Sequence, residues 1–511
     1  MHCRTCHALA FLLLAGCAGA PGPERAAPHA ASRPAAPVEA IRAVESIRAQ
    51  DLHARVGFLA DDALRGRDTP SHGLEVAAAY VASEFRSFGL EPAGDAGSYV
   101  QRYPYVVRTL RAADAVLELR AGNRALALGY GRDYYLAAGE SPASGPLVLI
   151  GRAAALPELT AGFLAGRIAV ADLAGGTFQD AGRARTAAAD AGATGLVLVL
   201  DSTVTAAGIA ASAASARGGR GGPAIPVAYL RRDRAAELLR GTGADLARAS
   251  AAGFRPVALA GTAATLRAPA QETTHRPPNV AGILRGSDPE LRDTYLVVSA
   301  HLDHVGVGRP DANGDSIYNG ADDNASGTAA VLELAEAFAA LPAAPARSVI
   351  FVAVSGEEKG LLGSAYFAAH LPVPADRVIA NLNIDMIGRN APDTVVAIGQ
   401  DYSSLGPLVQ RVGAAHPELG LVVAQDPWPE QRFFFRSDHF NFAKQEIPAL
   451  FFFTGAHEDY HRPSDQVEKI DLDKITRVTR LIYHLAHELA TTAPAPAWTE
   501  PGLAEVRQLV R

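Results

Sequence analysis

The sequence predicts an α/β protein: a mostly parallel, mixed central sheet with helices on both faces, plus a smaller inserted α/β domain. Three observations carry this. In residues 266–495, short runs rich in Val, Ile and Phe alternate with longer segments of helical periodicity. That is the pattern of strands buried on both faces by crossover helices. A second alternation, in residues 126–265, is built mostly from Ala and Gly. With 511 residues the chain is also too long for one ordinary core.

The elements follow from the N-terminus. Residues 1–16 hold Arg4 and then an apolar run too short to span a bilayer. The run ends in "LLAGC", which resembles a bacterial lipoprotein signal. The resemblance implies cleavage before Cys17 and lipidation of its thiol; a plain secretory signal is the alternative. Residues 17–40 are rich in Pro and Ala and read as a flexible tether. The only cysteines are Cys3, Cys6 and Cys17, so no intrachain disulfide staples the body. The protein is expected outside the cytoplasm, lipid-anchored to the cell envelope or secreted, and touching membrane only through Cys17.

Residues 41–125 form the first part of the larger domain. There "GLEVAAAYVASEFRSFGL" (73–90) has helical spacing and a Gly stop. Within 126–265, "GRIAVADLAG" (166–175), "GATGLVLVLD" (192–201) and "PAIPVAYL" (223–230) read as strands. "RARTAAADAGA" (183–193) reads as a helix and "SAASARGGRGG" (212–222) as a mobile loop. This order is similar to the protease-associated domain inserted in several exopeptidases, and implies either a lid or a spacer. Residues 496–511 are a C-terminal tail.

The larger domain carries the chemistry. Strands are predicted at 294–300, 348–354, 377–385 and 447–453, and helices at 327–341, 360–371 and 471–490, the last capped by Asp471. In such sheets, sites form beyond the carboxyl ends of the strands. The first strand runs into "HLDH" (301–304), the second into "SGEE" (355–358), the third into Asp385 and the fourth toward "TGAHEDYH" (454–461). Any one of these is unremarkable as a solvated acid or a surface histidine. Four together, at the end where the fold places sites, point to a metal centre.

"GADDNASG" (320–327) sharpens this. Adjacent carboxylates repel and raise each other's pKa unless a cation intervenes. His301, Asp322, Glu358, Asp385 and His461 supply the nitrogen and oxygen donors zinc prefers. They could hold two ions if Asp322 or Asp323 bridges. The small residues would let a helix begin close to the metals. The net charge of −7 argues against nucleic-acid binding. With no cysteine in the body and no Gly-x-Ser-x-Gly, a cysteine or serine hydrolase has no signature.

"SAHLDH", "NGADDNASGTAA", "SGEEKGLLGS", "NIDMIG" and "EDYHRPSD" occur in the order seen in the dizinc exopeptidases of metallopeptidase family 28, the zinc aminopeptidases. The resemblance implies that His301 and Asp385 bind the first zinc ion, and Glu358 and His461 the second. It makes Asp322 the bridge, followed by a cis peptide bond, and Glu357 the general base. It sets Asp303 to orient His301 by accepting its remaining N–H, and Tyr460 to hydrogen-bond a developing oxyanion. At an extended strand end Glu357 and Glu358 point to opposite sides, so one can reach a metal while the other faces substrate.

The implied activity is a dizinc aminopeptidase acting on peptides, with two Zn²⁺ as cofactors. The alternatives are a carboxypeptidase or dipeptidase of the same family, with Arg389 or Arg436 taking a terminal carboxylate; a glutaminyl cyclase; and a non-enzymatic receptor-like protein. A calcium loop at Asp311–Asp315, a cleft-lining His439 and an apolar pocket from "RFFFRSDHF" (432–440) are further candidates. Oligomeric state and side-chain preference are left open.

Overall fold

The computed structural model describes residues 43–137, 142–215, 225–249 and 253–510. The signal, the tether, Cys17 and residues 216–222 of the expected loop lie outside the described residues.

The larger domain is built on a nine-stranded sheet. Its strands are β1 (Glu91–Pro92), β2 (Val100–Arg102), β3 (Pro278–Leu284), β4 (Tyr295–His301), β5 (Ser348–Val354), β6 (Val378–Ile384), β7 (Thr394–Ile398), β8 (Val422–Ala424) and β9 (Ala449–Phe453). Their order is β1–β3–β5–β4–β6–β9–β7–β8, with β2 also on β3. The centre, β5–β4–β6–β9, is parallel throughout. The flanking pairs β3–β5 and β7–β9 are antiparallel, which makes the sheet mixed. The four predicted strands are the four central ones.

Alternation along each strand feeds two cores. Leu296, Val298 and Ala300 of β4 pack with helices α1 (Ala49–Leu59), α2 (His72–Ser87), α3 (Gly327–Ala339) and α5 (Leu472–Thr491). Val297 of the same strand faces the other way, toward α4 (Leu362–Ala369) and Phe442. Ser71 caps α2 by accepting from the Leu74 N–H, and Asp471 caps α5 by accepting from the Lys474 N–H. Helix α3 begins at Gly327 because a Cβ there would strike Asn324 Oδ1 and the Ile384 carbonyl. The small residues after the paired acids thus let α3 start hard against β6.

A second, eight-stranded sheet occupies the middle of the chain. Ala143–Arg152, Ile168–Asp172, Gly195–Val199 and Val227–Leu230 run parallel, and the helix Phe178–Asp190 stands where one was expected. Two of its strands, Val116–Ala121 and Val257–Arg267, pair antiparallel, so this sheet starts before residue 126. The ribbon Tyr105–Leu110/Ala270–His275 leads into and out of it. Residues 212–215 continue the helix Ala206–Ser215 instead of forming a loop.

Candidate metal centre

The carboxyl ends of β4, β5, β6 and β9 bring together His301, Glu357, Glu358, Asp385, Tyr460 and His461. They form two donor groups: His301, Asp323 and Asp385, and His304, Asp323, Glu358 and His461. Asp323 belongs to both. Its Oδ1 lies 3.2 Å from His301 Nε2, and its Oδ2 lies 3.1 Å from His461 Nε2. His301 Nε2 is 3.3 Å from Asp385 Oδ1, and His461 Nε2 is 3.1 Å from Glu358 Oε2.

The shared position therefore falls to Asp323 and not to Asp322. Asp323 is non-helical, at φ −105° and ψ 92°, and in extended chain successive side chains diverge. Asp322 points away: its Oδ1 accepts from the Gly388 N–H at 2.7 Å and its Oδ2 faces His457 at 3.3 Å. The buried carboxylate of Asp465 fixes the turn by accepting the N–H groups of both Asp322 and Asp323. The bond following Asp323 is cis.

Asp303 also departs from expectation. His301 Nδ1 lies 3.0 Å from the Asp303 carbonyl and 3.8 Å from its carboxylate. The carboxylate instead accepts from the Thr69 hydroxyl at 2.9 Å and the Glu357 N–H at 3.2 Å. It orients the general-base candidate through the backbone. Tyr460 lines the same pocket as Glu357, and its ring stacks on His461.

Sequence reasoning assigned no role to three contributors. His304 faces the second group, with Nδ1 2.9 Å from Glu358 Oε1. Its only signal was position, three residues past His301 on one loop. Thr69 and Arg67 come from the N-terminal segment. Arg67 is fully buried, and its guanidinium donates to the carbonyls of Leu59, Leu302, Asn319 and Gly320. It ties the loop after His301 to the loop before Asp323. Burial pushes its pKa down to about 10, against the pull of Asp303 and Asp323.

Other candidates resolve differently. His439 is buried between Phe434 and Phe451 and does not line the pocket. Phe433 reaches the pocket, whereas Phe434 stacks on Tyr402. Arg389 pairs with Asp459 at 2.9 Å, while Arg436 lines the pocket. Asp311 caps its own turn by accepting from the Asn313 and Asp315 N–H groups. Among the described residues no metal-type donor group includes residues 311–315.

The electrostatics call for a cation. Burial alone would lower the His301 pKa, but Asp385 and Asp323 outweigh it and hold it well above the ordinary value. His461 is driven to about 10 against burial by Asp323 and Glu358. Glu358 is held down at about 2 by His304 and His461, against burial and the Asp323 charge. Glu357 goes the other way: burial, reinforced by Asp438 and Glu358, lifts its carboxyl well above the usual range despite His301. The imidazoles supply positive charge that the carboxylates require. Zinc fits this donor set. Ligands about 2.0–2.1 Å from a tetrahedral ion stand about 3.3 Å apart, close to the separations measured between the groups.

Fold and site together define an α/β protein whose parallel strand ends gather a carboxylate–imidazole metal centre. Residues 279–486 match the family model described as Peptidase family M28. A probable zinc metalloprotease of Pyricularia oryzae is 29% identical over 259 residues, 42% of this chain and 50% of that protein. An aminopeptidase of Bacillus subtilis is 27% identical over 233 residues, 43% of this chain and 46% of that one. The chain spans about half the length of these curated relatives. The solved structure of an aminopeptidase from Aneurinibacillus sp. strain AM-1 matches with a TM-score of 0.57 at 21% identity. The match covers 89% of this chain and 97% of that one, a likeness of fold.

Proposed function

We propose that the protein is a dizinc aminopeptidase that removes N-terminal residues from peptides. The observation that carries this is the convergence of two donor groups on one shared carboxylate, Asp323, beside the buried Glu357. His301, Asp323 and Asp385 would hold one ion, and Asp323, Glu358 and His461 the other. When bound, the ions supply Lewis acidity toward the scissile carbonyl and make water a nucleophile at neutral pH.

The remaining work falls to the chain. Glu357, with its raised pKa, takes a proton from the attacking water and returns it to the leaving amine. Burial raises the pKa of the Tyr460 phenol, which keeps it protonated to donate to the developing oxyanion. The Ser437 hydroxyl donates to Asp385 at 2.9 Å and fixes that carboxylate. The pocket, about 260 Å³, has an apolar wall of Met386, Phe433, Phe451 and Phe453 for a side chain.

A carboxypeptidase or dipeptidase reading is favoured by one observation: Arg436 lines the pocket and could take a terminal carboxylate. A panel of free-amine and N-blocked peptides separates the two readings. The aminopeptidase hydrolyses only the free-amine substrates, loses activity to chelator and regains it with zinc. Equal cleavage of N-blocked peptides would contradict it. We also propose export with lipidation at Cys17, supported by "LLAGC", and a protease-associated role for the second sheet, supported by its element order. Radiolabelled palmitate incorporation lost in Cys17→Ala tests the first.

A further inference from the structure

The two donor groups are unequal. The group around His301 holds three side chains, while the group around Glu358 holds four, because His304 joins Asp323, Glu358 and His461. Two of these separations are 3.1 Å: His461 Nε2 to Asp323 Oδ2 and to Glu358 Oε2. His304 Nδ1 stands 2.9 Å from Glu358 Oε1 and 3.7 Å from Asp323 Oδ2. These distances bracket the edge of about 3.3 Å expected for ligands around tetrahedral zinc. His304 stands within the same donor group, nearest Glu358 Oε1 where His461 is nearest Oε2.

The ring is also held in place. His304 is wholly buried, and its other nitrogen, Nε2, has no hydrogen-bond partner among the described residues. Nδ1 is therefore the nitrogen that faces anions. The ring lies against Gly320, at φ +59°, where any Cβ would overlap it. A backbone position open to glycine leaves room for this imidazole and stops it swinging away.

The pocket shows the same asymmetry. It is lined by His301, Asp323 and Asp385, together with Glu357, but not by His304, Glu358 or His461. Zinc with four protein ligands is closed, whereas a catalytic site keeps a position open.

We propose that His304 is a fourth protein ligand to the ion held by Asp323, Glu358 and His461. This closes that site, and the open position lies on the ion held by His301, Asp323 and Asp385. The inference rests on the dizinc reading. The end of β4 and the loop after it then serve both ions, His301 for the exchangeable one and His304 for the retained one.

The test is calorimetric titration of metal-free full-length protein with zinc, for the wild type, His304→Ala and His304→Asn. The wild type should bind two ions in distinct steps. In both variants the tighter step should weaken by on the order of 100-fold or more, beyond the loss typical of an outer-sphere partner, while the weaker step moves only a few-fold. X-ray absorption on dizinc wild type needs no variant to fold, and should count three imidazoles over the two ions. Two tight ions in the variants with unchanged affinities, or one imidazole per zinc, would overturn the assignment of His304 alone. A wild type that binds fewer than two ions would instead overturn the dizinc reading beneath it.

Discussion

The two large sheets obey one rule and end differently. Each has a run of four parallel strands with charged residues at their carboxyl ends. In the second sheet each buried acid there has a cation built in. Asp172 meets Arg232 through two bonds of 2.7 and 2.9 Å, and Asp133 is shared by Arg132 and Arg234. In the nine-stranded sheet Asp323, Asp385 and Glu358 face one another and three imidazoles, and the buried Arg67 is occupied by carbonyls. A carboxylate at a strand end is therefore not a functional signal by itself. The signal is a group of buried acids that the chain leaves short of positive charge.

Variants can break or sharpen this contrast. The largest effect belongs to Glu357→Gln, which should cut kcat by roughly 10²–10⁴-fold while zinc content stays at the wild-type value. Normal turnover would remove Glu357 as the base. Next is Asp172→Ala in the second sheet. Leaving Arg232 half-buried without its partner should cost about 2–4 kcal/mol in denaturant unfolding, with zinc content unchanged. Loss of zinc there would erase the distinction between the sheets.

An intermediate case lies between α1 and α3. Arg55 alone serves Glu84, Glu333 and Glu336. Burial raises the Glu333 pKa to about 7, with Arg55 opposing. A carboxyl whose folded pKa exceeds its unfolded value contributes stability that is present below about pH 4.5 and lost as pH rises through about 7. Between those limits Glu333→Gln should flatten the fall in stability by roughly 3 kcal/mol. An identical pH profile in wild type and variant would show that Arg55 holds the group ionised. The smallest effect is expected of Asp322→Asn, which should keep zinc affinity within about 100-fold, as for an outer partner. Loss of the metal would return the bridge to Asp322.

What the sequence disclosed follows the same physics. The central strands were legible because burial on both faces makes them continuous apolar runs, and each led to its site residue. Strands Val116–Ala121 and Val257–Arg267 escaped because one face of each is exposed, so their residues alternate and include the exposed Glu118, Arg120 and Arg267. Asp322 and Asp323 could not be told apart from adjacency: which acid turns inward depends on backbone torsions in the turn. Arg67 was invisible because arginine is seldom fully buried, and its place depends on left-handed turns at Arg65, Gly66 and Arg67.

The central claim is that Asp323 is common to two metal sites. Zinc bound per chain after saturation and gel filtration tests it directly, in wild type and in Asp323→Asn. The prediction is two equivalents for the wild type and neither retained in the variant. One equivalent or fewer in the wild type, or two in the variant, would contradict it.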